Sequence, residues 1–297
     1  MSTLFKNAEA RERMLGWYER IRTDIPVPTT TQRVATSFGE THVLSAGPED
    51  APPLVILHGA MATSALLLRE LVHLTDRFRV HAVDVLGQSV MSADTRLPVK
   101  GDAHARWLGE VLDGLALPST LLLGVSWGGF VAQRFAAYAP DRVARLALLV
   151  PAGLVNGSAL EGVTKLAWPM ARFRWSPTEN NRDRFLGNLL TTTDDDWRDY
   201  LNVAFQSYRM NMEVPPLARP SDFAALAAPV FVMAAEHDHS FPGERLLARA
   251  AELFPTLAHA ELLAGAKHSP PTTPAFRREL GAKLLTFLEP ASQSSAA

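Results

Sequence analysis

The 297-residue chain has no cysteine at all. That excludes disulfides, thiolate nucleophiles and cysteine-ligated metals, and it says nothing about compartment. It also lacks an excess of charge of either sign: 29 basic and 31 acidic residues leave a net charge of -2, and the basic residues are scattered. An electrostatic grip on nucleic acid or on an anionic membrane is therefore not expected. Long apolar runs are missing too. The N-terminal stretch MSTLFKNAEARERMLGWYER never strings seven apolar residues together, so it does not read as a signal peptide. No run reaches transmembrane length. The expectation is a cytoplasmic protein without a membrane or nucleic-acid partner. No internal repeat is present.

What is present is apolar mass: 47% of residues are hydrophobic and 20% charged, enough for a large buried core. Residues 5–22 space Phe5, Ala8, Met14, Leu15, Tyr18 and Ile21 as a helix does. Two short strands follow at 32–37 and 41–46, with Gly39-Glu40 read as the hairpin turn between them. The pattern then becomes regular. Short branched runs at 52–58, 79–85, 119–125 and 143–151 read as buried strands, and 64–76, 101–116 and 127–139 as the helices between them. The alternation breaks at Pro151 and resumes with a strand at 229–238, a helix at 243–254, a strand at 259–265 and a helix at 274–288. Such alternation predicts an α/β fold, a mostly parallel sheet with helices on both faces.

The expected organisation is an N-terminal helical segment (1–29), one core built from 30–151 and 229–289, a helical cap inserted at 152–228, and a frayed tail at 290–297. The cap sequence is aromatic. Trp168, Trp175, Trp197, Phe205 and Met210 are candidates to line a pocket, or equally to form the cap's own core.

Gly124-Val125-Ser126-Trp127-Gly128 fits G-x-S-x-G between a predicted strand and a predicted helix. That context gives the pentapeptide its mechanical meaning. The serine occupies a tight, strained turn, and glycines two residues to either side avoid collision where helix and strand pack closely. The turn lifts the Ser126 hydroxyl above the sheet edge and aims the Trp127 N–H, at a helix N-terminus, toward a reacting oxygen.

A serine hydroxyl needs an adjacent base. With an elbow of this kind the chain order is serine, acid, histidine. Of nine histidines, only His268 lies on a loop after the last strand and before the terminal helix. Glu236-His237-Asp238-His239 offers two acids. Asp238, further beyond the strand and shorter, is the candidate, and Glu236 is expected to bond backbone. His237 and His239 read as solvated loop residues, since no partner pattern for a metal recurs nearby. His58-Gly59-Ala60-Met61 closes the first core strand, where a loop supplies the second oxyanion donor by backbone N–H. Ala60 comes first and Met61 next, with Met61 also a pocket candidate. His58 reads as a structural histidine, and Asp84 as bonding loop backbone. Thr193-Asp194-Asp195-Asp196-Trp197 reads as the start of a cap helix, not a cation site.

Together these residues resemble the α/β-hydrolase superfamily over about residues 30–289. The similarity rests on the HG loop at 58–59, Asp84 with Gly87, the elbow at 124–128, Asp238 and His268. FGETHVLSAG, PPLVILHGA, AVDVLGQS and GVSWGGFVAQRFA are similar to capped soluble bacterial carboxylesterases of the NP type. The resemblance implies an eight-stranded α/β-hydrolase fold and hydrolysis of small carboxylic esters without metal or cofactor; a monomer or homodimer is expected. Two departures stand out. Ala-Met-Ala follows His58-Gly59 in place of a glycine-rich run, and Ser269-Pro270-Pro271 stiffens the loop after His268. A lactonase, thioesterase or C–C bond hydrolase would use the same triad, and a ligand-binding protein would keep the fold with little turnover. An aminopeptidase fits less well, because the cap shows no cluster of acids for a substrate ammonium. Dehalogenases and epoxide hydrolases need an aspartate at position 126.

Overall fold

The computed structural model describes residues 4–192, 195–211 and 213–289. The apolar runs become strands buried on both faces: Pro53–Leu57 (β3), Arg79–Val83 (β4), Thr120–Val125 (β5), Val143–Leu149 (β6) and Val230–Ala235 (β7). They lie between a hairpin, Thr29–Thr36 (β1) with Gly39–Ala46 (β2), and a last strand, Leu257–Leu263 (β8). The eight-stranded sheet runs β1-β2-β4-β3-β5-β6-β7-β8. The pairs β1–β2 and β2–β4 are antiparallel and all others parallel, so only β2 runs against the rest.

Alternation along each strand divides the core in two. Val55, Leu57 and Leu122 face one layer with Ala103–Gly114 (α3), Trp127–Tyr138 (α4) and Gly243–Leu253 (α9). Leu54, Ile56, Leu121 and Leu123 face the other, with Ala8–Thr23 (α1), Ser64–Glu70 (α2) and Pro274–Leu288 (α10). Two expectations need correction. The hairpin turn is Ser37-Phe38, because Thr36 already pairs with Gly39. Ser37 fixes that turn by donating its N–H and hydroxyl to the Glu110 carboxylate. The helix expected over 64–76 is α-helical only to Glu70, then continues as a 3-10 turn, Val72–Asp76.

Among the described residues, the regular elements between β6 and β7 are helices. Ala159–Glu161 (α5) runs through a π-helical turn, Gly162–Ala167, into Trp168–Trp175 (α6); Glu179–Leu186 (α7) and Asp195–Ser207 (α8) follow. Phe173, Phe185, Leu186, Leu190 and Phe205 form a small core of this insert's own. Thr193 and Asp194, in the expected helix start, and the tail 290–297 lie outside the described residues. Asp196, in the first turn of α8, holds Arg20 and Arg69 at 3.0 Å each. Among the described residues no helix is long and apolar enough to cross a membrane.

Candidate active site

Strand β5 ends at Val125 and helix α4 starts at Trp127, which leaves Ser126 alone in the turn with φ 51° and ψ -111°. That is costly backbone for a residue with a side chain, and it persists only where neighbours fix it. Here Ser126 N–H donates to Leu149 O at 3.0 Å, while Ser126 O accepts from Ala152 N–H at 3.0 Å and Phe130 N–H at 3.1 Å. The flanking glycines are demanded by space. A Cβ on Gly124 would sit 2.4 Å from Gly128 O, and one on Gly128 2.1 Å from Leu57 O.

Strand β7 stops at Ala235, and the three-residue turn to Asp238 brings that side chain back to the sheet edge. Asp238 is buried. Its Oδ1 accepts from Ser240 N–H at 2.7 Å and Phe241 N–H at 3.1 Å. Its Oδ2 lies 2.7 Å from His268 Nδ1, and His268 Nε2 lies 3.0 Å from Ser126 Oγ. Three residues far apart in the chain thus form one hydrogen-bonded line. Burial disfavours the charged imidazole of His268, but the facing carboxylate of Asp238 outweighs it and raises the pKa above the ordinary histidine value. Phe241 packs edge-on against the imidazole, with ring centres 5.3 Å apart.

The loop after β3 faces the elbow. Buried His58 donates from Nδ1 to Gly59 O at 2.7 Å, and its Nε2 accepts from Val85 N–H at 3.0 Å. Those two bonds require the neutral ring, and burial holds its pKa down. His58 therefore braces the loop that carries Ala60. Met61, with φ 56°, directs its N–H toward Gln88 Oε1 at 3.4 Å. Asp84 does more than bond loop backbone, as the sequence suggested. Fully buried, it takes one backbone bond, from Ser64 N–H at 2.9 Å, and side-chain bonds from His42 at 2.7 Å, Ser89 at 2.5 Å and the Ser64 hydroxyl. Burial alone would raise its carboxyl; His42 and the Ser64 hydroxyl hold it below the usual range. It pins the start of α2 and the loop after β4.

Ser126 and His268 open onto an apolar cavity of about 280 Å³. Met61, Trp197 and Phe205 line it, together with Leu66, Leu67 and Leu71 from α2 and just beyond it and Phe276 and Leu280 from α10. Trp168, Trp175 and Met210 do not. Trp168 is 66% and Trp175 92% exposed on the outer face of α6. Met210 packs against the insert's own core. Helical spacing gave these aromatics a face, but not which neighbour that face meets. The wall from α2 and α10 was missed because those positions read only as core. It includes an ion pair: Arg277 donates to both oxygens of Glu70, at 2.6 and 2.7 Å, and Trp197 Nε1 donates to Glu70 at 3.0 Å.

Glu236 accepts from the N–H of Gly265 at 2.6 Å, across the sheet edge from its own strand. His237 is exposed and His239 lies 3.7 Å from Glu161. Among the described residues no group of three or more His, Asp or Glu side chains could hold a metal ion.

Comparison with known proteins agrees with this architecture. Residues 52–271 match the alpha/beta hydrolase fold family. Among curated proteins, the chain is 36% identical over 127 residues to the uncharacterized carboxylesterase nap of Bacillus subtilis (strain 168), covering 43% of this chain and 42% of that one. It is 32% identical over 151 residues to carboxylesterase YbfK of the same organism, covering 51% of each. The matches thus span about half the length of these curated relatives or less. The crystal structure of naproxen esterase (carboxylesterase NP) from Bacillus subtilis superposes with a TM-score of 0.78 at 21% identity, covering 96% of this chain and all of that one. That similarity concerns the fold.

Proposed function

Since the chain belongs to the alpha/beta hydrolase fold family, we propose that it is a serine hydrolase that cleaves carboxylic esters through an acyl-enzyme. The observation that carries the reading is the line of hydrogen bonds from Asp238 through His268 to Ser126, at 2.7 and 3.0 Å, opening onto an apolar cavity. In this reading residues 152–228 act as a cap. The named carboxylesterases among the relatives support the choice of ester over other acyl bonds.

In the first half-reaction His268 Nε2 takes the Ser126 proton while Oγ attacks the ester carbonyl. Electrons move onto the carbonyl oxygen, which the N–H groups of Trp127 and Ala60 receive; each such donor contributes about 3 kcal/mol to lowering the barrier. The C–O bond then breaks and His268 returns its proton to the departing alcohol. In the second half water is deprotonated by His268, attacks the acyl-enzyme, and releases the acid and Ser126. Asp238 keeps the Nδ1 proton in place and offsets the charge on the imidazolium. The cavity walls favour an uncharged apolar substrate, because among the described residues Arg277 and Glu70 pair with each other.

A fluorophosphonate probe should label Ser126. Ser126→Ala and His268→Ala should each abolish p-nitrophenyl ester hydrolysis with the fold intact by circular dichroism. Hydrolysis by Ser126→Ala at the wild-type rate would overturn the proposed nucleophile. A panel of p-nitrophenyl esters of graded acyl length beside lactones and thioesters then identifies the bond preferred.

A further inference from the structure

Among the described residues, the backbone of the loop that carries His268 is bonded to the sheet side as far as Ala266, whose carbonyl accepts the N–H of His237 at 2.7 Å. Beyond that point its backbone bonds go to the helical insert. Lys267 N–H donates to Thr191 Oγ1 at 2.9 Å, Ser269 N–H to Leu189 O at 2.8 Å, and Thr272 N–H to Thr192 Oγ1 at 3.0 Å. Pro270 and Pro271 have no N–H to give. In return Ser269 O accepts from both the N–H and the hydroxyl of Thr191, at 3.2 and 2.6 Å. Leu190 and Ser269 pair as a short parallel bridge. Lys267 Nζ donates to Gly187 O at 2.6 Å.

We propose that residues 187–192 of the insert are a clasp for the catalytic base, with Thr191 its central positioning residue. The proposal rests on the reading of His268 as that base. One hydroxyl accepts from the residue before His268 and donates to the residue after it, so it fixes the loop on both sides of the imidazole. These half-buried backbone groups need partners, and the insert supplies them. The insert also grips the opposite side of the site, where Tyr200 donates its hydroxyl to Met61 O at 2.6 Å in the oxyanion loop. Residues 187–192 therefore do not swing away as a lid, since doing so would carry off the base. Substrate enters without that segment opening, and the insert is part of the proton-transfer machinery as well as a wall of the pocket.

The test compares Thr191→Val, which keeps the shape and removes the hydroxyl, with Thr191→Ser, which keeps the hydroxyl. Displacement of a catalytic group by about 1 Å costs roughly a hundredfold in rate, so Thr191→Val should lose about ten- to a hundredfold in kcat on a p-nitrophenyl ester. KM should stay within about twofold, because Thr191 does not line the cavity. The acid limb of the kcat/KM profile should move to lower pH, as the imidazole drifts from the Asp238 carboxylate. Thr191→Ser should recover most of the rate and the original limb. A purely structural role would lower the melting temperature without moving the limb. The proposal is overturned if Thr191→Val keeps the wild-type kcat and acid limb, or if Thr191→Ser is as impaired as the valine. Should Thr191→Val not fold, Thr192→Val against Thr192→Ser is read the same way at Thr272. His268→Ala separates the two layers. If it stays active, the triad reading fails; if it is inactive while Thr191→Val is normal, only the clasp fails.

Discussion

Replacing Gly128 by alanine tests the claim that the elbow is held by close packing of helix on strand. A Cβ there would stand 2.1 Å from Leu57 O and 2.7 Å from His58 O, whereas real Cβ contacts essentially never fall below 3.0 Å. The first turn of α4 must therefore withdraw from β3 by about 0.9 Å at the least. The obstacle is backbone, so no side chain can rotate out of the way. The same movement carries the Trp127 N–H and the Ser126 hydroxyl relative to the loop at His58–Ala60. Misplacement on this scale costs roughly a hundredfold in rate, and overpacking costs about 1–3 kcal/mol of stability. The expected protein is folded, with a melting temperature lower by several degrees, and with kcat on a p-nitrophenyl ester down about a hundredfold. Fluorophosphonate labelling of Ser126 should slow in parallel. Gly109→Ala serves as the control, since its Cβ would meet Phe135 at 3.7 Å, an ordinary contact. Retention of kcat within about twofold by Gly128→Ala would refute the argument that this contact sets the geometry.

The remaining predictions concern the base, the acid and the pocket. Activity requires neutral His268, and its pKa lies above the ordinary histidine value, so kcat/KM should rise with pH through a limb above that value. Asp238→Asn should lower kcat by about ten-thousandfold, whereas Glu236→Gln, whose amide oxygen can still accept from the Gly265 N–H, should cost little activity. A larger loss from Glu236→Gln would mean the wrong acid has been chosen. Phe205→Ala enlarges the cavity and should shift the preferred acyl length upward, measured as kcat/KM across graded p-nitrophenyl esters. Trp175→Ala should leave that profile unchanged, because the indole faces solvent; an altered profile would put this tryptophan back in the pocket. Arg277→Met leaves Glu70 buried without its main ion-pair partner and should destabilise the protein by about 3 kcal/mol, the low end for breaking a buried pair; denaturant titration reads the loss.

The amino-acid sequence by itself determined the strand–helix alternation, the elbow at Ser126 and the order in which serine, acid and histidine arrive. Each depends on chain-local chemistry: a branched run too short for a helix, glycines where backbone must approach backbone, a loop placed after a known strand. A parallel sheet aligns the ends of its strands, so residues legible as following β5, β7 and β8 converge at one edge whatever lies between them. Only the tertiary structure decided the surroundings. An aromatic on an amphipathic helix carries no record of its neighbour, so Trp168 and Trp175 face outward while Phe205 and Trp197 line the cavity. Glu70 and Arg277, and Thr191 with the two residues flanking His268, are partners chosen by packing between elements distant in the chain. No spacing within either segment encodes the contact.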